Sequence, residues 1–339
     1  MARNRAFAII AVALALLGLA RIESTAQDGL RLRERFGGRA NNPATNPSAP
    51  PSPSAEPAAV PPGVTLRYGA DPLQQLDLWR PTQTTAQTGT SPEKVPLILY
   101  VHGGGWKRGS KDDATGRWKP LHYPRQGWAF ASINYRLVPD ARVEQQALDV
   151  ADALKSLLSR ADELGIDRNR VVLMGHSAGA HLVALVGTDE RYLRAAGLSF
   201  ANLAGVIPID GAAYDVPAQL RDGPPMMQDT YRQTFGEVPG RQRMLSPTLQ
   251  AMAPNAAQFM LVHVQRPDGV RQAEALETAL RAGGSTVERG SFPGTGLIGH
   301  MEINRRLGDP AYPPTTAVDR WLRQRFQPTP SAVKSPPPG

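Results

Sequence analysis

Residues 170–181 constrain the fold of this chain more than any other stretch of its sequence. They read Arg-Val-Val-Leu-Met-Gly-His-Ser-Ala-Gly-Ala-His, an aliphatic run that stops at Gly175 and resumes as apolar residues at helical spacing. Ser177 lies between Gly175 and Gly179, in a G-x-S-x-G pattern between a predicted strand and a predicted helix. Bulky neighbours would clash at so sharp a turn, whereas glycine leaves the serine hydroxyl protruding. This context predicts a serine nucleophile.

A second glycine-rich turn follows another aliphatic run. Residues 96–101 predict a buried strand, which leads directly into His-Gly-Gly-Gly-Trp at 102–106. Backbone N–H groups in such a turn are not shielded by side chains and can face a developing oxyanion. We therefore expect an oxyanion hole formed by the N–H groups of Gly104, Gly105 and Ala178. A merely flexible loop is the alternative.

These two motifs, in this order, resemble the α/β-hydrolase fold. They are most similar to small carboxylesterases of the hormone-sensitive-lipase-like and acetyl-xylan or feruloyl esterase-like branch, with kynurenine formamidases nearby. The resemblance covers about residues 63–327 and includes Asn-Tyr-Arg at 134–136 and the segment 210–215. It implies a mostly parallel, eight-stranded twisted sheet with helices on both faces. It also implies hydrolysis of carboxylic esters, and it implies no metal or cofactor.

The order of the predicted elements agrees with this fold class. Strand-like and helix-like segments alternate along the chain, which is typical of a parallel sheet with helical crossovers. Asp140 is expected to cap a helix that runs to about residue 164, and a later helix is expected over residues 271–281. Residues 216–254 are long for a simple connection, so we expect them to pack over the site as a partial lid.

A serine nucleophile needs a base to take its proton and an acid to orient that base. The histidines that follow Ser177 are His181, His263 and His300. His181 falls on the helix directly after the serine and cannot fold back onto it. His263 lies inside an apolar strand and is expected to be structural. His300 follows the last predicted strand in a glycine-rich loop, so it is the expected base.

The acid has more than one candidate. The resemblance places it after the strand at 259–264, where Asp268 occupies a Pro-Asp-Gly sequence. An ordinary turn aspartate is the alternative. Asp210 ends the preceding strand and Asp215 follows it, so either could serve instead. Asp268 alone matches both the strand position and the chain order serine, acid, histidine, so we expect Asp268 to be the acid.

Three aromatic residues near predicted strand ends are expected to line the cleft, namely Trp106, Tyr135 and Tyr214. Such walls would limit the depth available to an acyl group and would favour a flat or sugar-like alcohol. The expected substrates are therefore esters of short acyl groups, acetyl to butyryl, on a small molecule or a polysaccharide. The alternatives are arylformamide hydrolysis of the kynurenine formamidase type, a lipase, a peptidase and a non-catalytic hydrolase-like binding protein.

The two ends of the chain differ in composition from its middle. A basic start, a short apolar run and small residues up to Ala26 predict a signal peptide over residues 1–26, with export to the periplasm or the exterior. An uncleaved anchor is the alternative. Residues 27–62 and 328–339 are rich in proline and predict a disordered linker and a disordered tail. The catalytic domain is expected at 63–327.

Charge and cysteine content exclude several classes of function. The formal net charge is +8, but the basic residues form no run and are not interleaved with aromatic residues. We therefore expect no nucleic-acid binding. The chain has no cysteine, so no disulfide, thiolate or zinc–cysteine site can form. The apolar run at 6–20 is short for a membrane span, and none is expected after signal removal. The sequence does not specify an oligomeric state.

Overall fold

The structure is a computed structural model that describes residues 59–81, 94–252 and 254–327. The expected signal peptide, most of the linker and the tail lie outside these ranges and stay predictions. Within these ranges, no helix is both long and apolar enough to cross a membrane. The same residues contain no group of three or more His, Asp or Glu side chains that could hold a metal ion.

The described residues form one sheet of eight strands. The strands are β1 (Val64–Arg67), β2 (Gln75–Trp79), β3 (Val95–Val101), β4 (Ala129–Ile133), β5 (Ile166–His176), β6 (Gly205–Ile209), β7 (Gln258–Val264) and β8 (Thr286–Phe292). Their order is β1-β2-β4-β3-β5-β6-β7-β8. The β1–β2 and β2–β4 pairs are antiparallel, and every other pair is parallel. The predicted eight-stranded, mostly parallel sheet is confirmed.

Helices connect most of the parallel strands. They are α1 (Trp118–Arg125), α2 (Val143–Ser159), α3 (Ala161–Leu164), α4 (Ala178–Thr188), α5 (Glu190–Ala195), α6 (Val216–Asp222), α7 (Gln228–Phe235), α8 (Pro239–Met244), α9 (Pro247–Gln250), α10 (Pro267–Ala282), α11 (Gly296–Arg306) and α12 (Pro313–Arg325). Short 3-10 turns lie at Phe200–Asn202 and Pro225–Met227. After each parallel strand the chain must cross back to the opposite end of the sheet before the next strand can begin, and these helices form the crossovers.

The central strands are apolar on both faces because helices cover both faces. Side chains alternate between the faces along a strand. In β3, Leu97 and Leu99 pack into one core with residues of α2 and α4, whereas Ile98 and Tyr100 pack into a second core with residues of α1, α11 and α12. This arrangement explains why residues 95–101 read as a continuous aliphatic run and not as an alternating one.

Two helix starts differ from those expected. The helix expected to be capped by Asp140 begins after Arg142, whose N–H donates to the side chain of Gln145 at 2.9 Å. The Gln145 side chain thus satisfies the N–H of the residue before the helix, and Asp140 takes no part in the cap. The helix expected from residue 271 begins at Pro267, one turn earlier. Proline is favoured at the first helical position because it has no N–H to satisfy there.

The long segment between β6 and β7 folds into the short helices α6 to α9. It packs on neighbouring elements through polar contacts as well as apolar ones. Arg241 forms an ion pair with Glu144 of α2 at 2.8 Å. The carbonyl of Leu245 accepts a hydrogen bond from His181 Nε2 of α4 at 2.8 Å. The segment therefore lies against the helices that flank the carboxyl ends of the strands. Its action as a lid stays a prediction.

His181 links this segment to the glycine-rich turn at 102–106. Its side chain is fully buried on α4, and its Nδ1 accepts a hydrogen bond from the indole of Trp106 at 3.3 Å. Burial lowers the pKa of His181 to about 4, although the hydrogen bond to Leu245 raises it. The ring is therefore neutral at neutral pH. This placement matches the expectation that His181 does not face Ser177.

We expect His181 to make the fold less stable in mild acid. The unfolded chain takes up a proton on this ring near pH 6.5, whereas the folded chain does not until about pH 4, so stability falls as the pH drops between these values. From pH 7 to pH 5 this costs about 2 kcal/mol. His181→Gln keeps a donor and an acceptor but cannot titrate. Urea denaturation at several pH values should therefore show that the unfolding free energy of the variant falls less steeply with decreasing pH. An equal fall in both proteins would refute the assignment.

Candidate active site

Ser177 occupies the turn between β5 and α4, with φ 57° and ψ −116°. A side-chain-bearing residue rarely adopts such a conformation, and it persists only where the surroundings enforce it. A Cβ at position 175 would lie 2.4 Å from the Gly179 carbonyl oxygen, and one at 179 would lie 2.1 Å from that of Val101. Glycine is thus required at both positions, because the start of α4 crosses directly over β5 and β3.

His300 lies beside this serine on α11. Its Nε2 is 3.0 Å from Ser177 Oγ, and its Nδ1 is 2.6 Å from Asp210 Oδ2. The expectation that His300 lies in a loop is wrong. Gly294 has φ 131°, and a Cβ at Gly299 would lie 2.8 Å from the Cα of Gly294. These glycines allow a tight turn packed against the first turn of a helix, so α11 starts directly after β8.

Asp210 follows β6 and is fully buried. Its backbone has φ 42°, and its N–H donates to the carbonyl of Val262 at 2.6 Å. Its Oδ1 accepts the N–H of Val264 at 3.2 Å. Burial alone would raise the pKa of this carboxyl, but the hydrogen bond from His300 and the positive charge of Arg266 hold it at about 2. The carboxylate is therefore ionised, so His300 Nδ1 carries the donated proton and Nε2 is free to accept one.

The prediction of Asp268 as the partner of His300 is wrong. Asp268 lies in the first turn of α10, where its Oδ2 accepts hydrogen bonds from Arg266 Nη1 at 2.8 Å and from Gln219 Nε2 at 3.2 Å. The early start of α10 commits this carboxylate to those two donors. Asp210, and not Asp268, is hydrogen-bonded to His300. The chain order serine, acid, histidine is kept. Asp215, the other alternative, caps α6.

The position of Asp210 beside the site follows from the order of the strands in the sheet. β6 lies directly beside β5 in the sheet, so the residue after β6 emerges next to the serine turn. The sequence favours Asp268 by strand position and chain order, and it carries no information on which strand adjoins β5. Sequence reasoning did not single out Arg266, whose guanidinium contacts both Asp210 and Asp268. A basic residue next to a Pro-Asp sequence was the available signal.

The glycine-rich turn lies alongside Ser177. A Cβ at Gly103 would be 3.0 Å from the Cβ of Ser177. The carbonyl of Gly104 accepts hydrogen bonds from two following N–H groups, whereas the N–H groups of Gly104 and Gly105 donate none within the described part of the chain. Ala178 begins α4, so its N–H has no intrahelical acceptor. The expected donors are therefore uncommitted and close to the serine turn.

The three aromatic residues expected to line a cleft are buried. Trp106 is 2 % exposed and donates to His181. Tyr135 is fully buried, and its hydroxyl donates to the carbonyl of His102 at 3.0 Å. Tyr214 is 2 % exposed. The expectation of aromatic walls is therefore wrong. Large aromatic rings stabilise a fold most when they are wholly buried and their polar atoms are hydrogen-bonded. The hydrogen bonds of Trp106 and Tyr135 meet this condition.

Aliphatic side chains are exposed beside the site instead. On α11, Leu297, Ile298 and Met301 surround His300 in sequence and are 65 %, 82 % and 53 % exposed. Met227 approaches the glycine-rich turn, since a Cβ at Gly105 would lie 3.9 Å from the methionine Cε. Sequence reasoning missed these residues, although an apolar pair within a glycine-rich segment was a signal.

Comparison with known proteins identifies similar esterases. Residues 76–202 match the model of the BD-FAE family. Esterase LipC of Mycobacterium tuberculosis is 31 % identical over 272 residues, which cover 77 % of this chain and 65 % of LipC. Ethyl acetate hydrolase of Pseudomonas putida is 28 % identical over 212 residues, covering 58 % and 64 %. Kynurenine formamidase of Salmo salar is 29 % identical over 119 residues, which cover 35 % of this chain and 36 % of that protein. The chain thus spans less than two thirds of each of these relatives.

Solved structures share the architecture. Esterase B of Lactobacillus rhamnosis aligns with a TM-score of 0.62 at 23 % identity, covering 78 % of this chain and 84 % of the other. The fold is that of the α/β-hydrolases. In such open α/β sheets, ligands bind at the carboxyl ends of the strands. Ser177 follows β5 and Asp210 follows β6, so the site lies at that edge of the sheet.

Gly104 offers a test of the turn beside the serine. Its φ is 128°, and a Cβ there would lie 1.9 Å from the Arg108 carbonyl oxygen, so the backbone must move. Gly127 has φ 87°, but a Cβ there would meet no atom within 4 Å, so it serves as the matched control. We expect Gly127→Ala to cost about 1 kcal/mol of unfolding free energy through backbone strain alone, and Gly104→Ala at least about 2 kcal/mol. Urea denaturation giving equal losses would contradict this geometry.

Proposed function

We propose that this protein is a serine carboxylesterase. The observation that carries the proposal is the continuous hydrogen-bonded chain from Ser177 Oγ to His300 Nε2, and from His300 Nδ1 to Asp210. A nucleophile, a base and an orienting acid in this arrangement are what acyl transfer requires. The similarity to Esterase LipC and to an ethyl acetate hydrolase supports an ester as the acyl donor.

In the first half of the reaction Ser177 Oγ attacks the ester carbonyl carbon. Its proton passes to His300 Nε2, and the carbonyl electron pair moves onto the oxygen to give a tetrahedral intermediate. When the C–O bond to the alcohol breaks, the departing oxygen takes the proton from His300. An acyl-serine remains. Water then repeats the sequence, which releases the acid and restores Ser177. Asp210 keeps the imidazole in the required tautomer and stabilises its positive charge.

The oxyanion is assigned to backbone donors. The N–H groups of Gly104, Gly105 and Ala178 are uncommitted, and the turn that carries the glycines adjoins the serine. Fixed N–H dipoles stabilise the charge that develops in the transition state without reorganising. Ala178 also places the N-terminal end of α4 toward that charge, where the helix dipole is favourable.

The assignment of Ser177 and its acid can be tested with matched variants. Ser177→Ala should abolish turnover of 4-nitrophenyl acetate and labelling by an organophosphonate while the fold survives. Asp210→Asn should lower kcat by about 10⁴, because the amide no longer holds the right tautomer. Asp268→Asn makes the same chemical change at the neighbouring carboxylate. It should lower kcat by less than about tenfold when measured at the variant's own pH optimum. Labelling at another serine, or a larger loss from Asp268→Asn than from Asp210→Asn, would overturn the assignment.

We propose that the acyl group is short, acetyl to butyryl. Trp106 packs edge-on against His181 and Phe235 behind the glycine turn, so that space is already filled. The similarity to an ethyl acetate hydrolase is in keeping with a small acyl group. The exposed aliphatic side chains of Leu297 and Ile298 lie on the same helix as His300 and would suit the apolar part of an alcohol. Arylformamide hydrolysis is the second candidate, because of the similarity to a kynurenine formamidase.

A graded series of substrates distinguishes these activities. We expect kcat/KM to be highest for acetyl or butyryl 4-nitrophenyl esters and at least about tenfold lower for the dodecanoyl ester, since each misplaced contact of a long chain costs about 1–3 kcal/mol. N-formylkynurenine should be hydrolysed poorly. A preference for dodecanoyl would indicate a lipase. Efficient formamide cleavage with weak ester turnover would indicate a formamidase.

A further inference from the structure

Arg266 is a buried cation at the centre of a cluster of two carboxylates. Its side chain is only 13 % exposed, and those of Asp210 and Asp268 are 0 % and 8 % exposed. Nη1 donates to Asp268 Oδ2 at 2.8 Å, and Nε donates to Asp210 Oδ2 at 3.3 Å. Nη2 donates to the backbone carbonyl of Gly211 at 3.1 Å. The guanidinium is thus held by both carboxylates and by the turn that follows β6.

The arginine and the active-site histidine share one oxygen atom. Asp210 Oδ2 accepts from His300 Nδ1 at 2.6 Å and also from Arg266 Nε. The distance between His300 Nδ1 and Arg266 Nε is therefore at most the sum of these two hydrogen-bond lengths. Gly269 makes room for this arrangement, since a Cβ there would lie 3.0 Å from Arg266 Nη2. Charges at such separations in a buried site interact strongly, because little water screens them.

The charge of the cluster influences how readily His300 takes up a proton. Asp210 and Asp268 together carry two negative charges, and both would favour the protonated imidazolium. A protonated His300 cannot accept the Ser177 proton. Arg266 offsets one of these charges and leaves the cluster with a single net negative charge, which is the charge that one orienting carboxylate supplies by itself.

We propose that Arg266 and Asp268 are positioning residues that act as a charge-balancing pair on Asp210 and thereby set the pH range over which His300 is a free base. The proposal rests on the catalytic role of His300 proposed above. Arg266 makes protonation of His300 harder, and Asp268 makes it easier. Arg266 acts through its contact with Asp210, and Asp268 acts through its contact with Arg266. The second carboxylate is therefore part of the electrostatic design of the site, although it is not the acid of the triad.

Other charged and titratable groups lie near His300 or interact with Asp210 and Arg266, and the test must leave them unchanged. Those from packed elements and from its own helix are His176, Lys119, Tyr214, Tyr231, Tyr312, Glu302, Arg305 and Arg306. His176 donates to the His300 backbone carbonyl at 2.9 Å, and burial lowers its pKa, so it is neutral. Lys119 binds the carbonyl of Asn304 on α11.

A double-mutant cycle tests the proposal. We expect Arg266→Gln, which removes a positive charge, to move the acid limb of kcat/KM for 4-nitrophenyl acetate upward by about one pH unit. Asp268→Asn removes a negative charge and should move the limb downward by about half a unit. The double variant restores the single net negative charge, and the two single shifts sum to about half a unit, so its limb should lie about half a unit above the wild type and clearly below that of Arg266→Gln. Arg266→Lys keeps the charge and should leave the limb nearly in place.

A second readout separates this proposal from the esterase assignment. Selective ¹³C labelling of the histidine Cε1 atoms allows the His300 ring to be titrated by NMR without turnover, with His300→Gln identifying its signal. The midpoints should move in the same directions as the acid limbs. If no ester is hydrolysed but the midpoints move as stated, the charge pair stands and the proposed activity fails.

Equal midpoints in the wild type and Asp268→Asn would overturn the charge pair, even if Arg266→Gln does not fold. So would shifts of the same sign in both single variants. A purely structural role predicts losses of kcat and stability without opposed shifts.

Discussion

The start of α4 approaches β3 so closely that only glycine fits between them, and the site depends on that approach. A Cβ at Gly179 would lie 2.1 Å from the Val101 carbonyl oxygen, at the end of the strand that leads into the glycine-rich turn. The same crossing forces Ser177 to φ 57°. One backbone contact therefore places the serine hydroxyl and the uncommitted N–H groups side by side. Packing of the sheet and helices supplies the free energy that holds this strained turn.

The acid of the site is defined by the sheet more than by its loops. Asp210 leaves β6 in a left-handed conformation, and its backbone and side chain are bound by Val262 and Val264 of β7. A carboxylate held in this way loses little conformational entropy when His300 binds it, because it is already fixed. A second carboxylate so close by would oppose a neutral histidine. The buried Arg266 contacts both carboxylates and offsets the extra negative charge.

Much of this arrangement follows from sequence, and the failures have physical causes. The strand–turn–helix around Ser177 and the parallel sheet were predictable, because glycine spacing and aliphatic runs are local signals. The choice between Asp210 and Asp268 was not, since it depends on which strand adjoins β5 and on a proline that starts α10 early. The burial of Trp106 was missed for a similar reason. Its orientation is set by partners distant in sequence, His181 and the helices of the 216–254 segment.

The base is carried by a helix, and that helix is fixed by groups on its buried side. His176 donates to the carbonyl of His300 itself. One turn later, Asn304 accepts hydrogen bonds from Tyr100 at 2.6 Å and from Lys119 at 2.8 Å. Lys119 is fully buried, which lowers its pKa to about 7, and an uncompensated charge there would be costly. Its three acceptors, two of them on Asn304, offset that cost only if α11 stays in place. A helix held in this way keeps His300 within reach of Ser177 while its outer face, with Leu297 and Ile298, remains open to solvent.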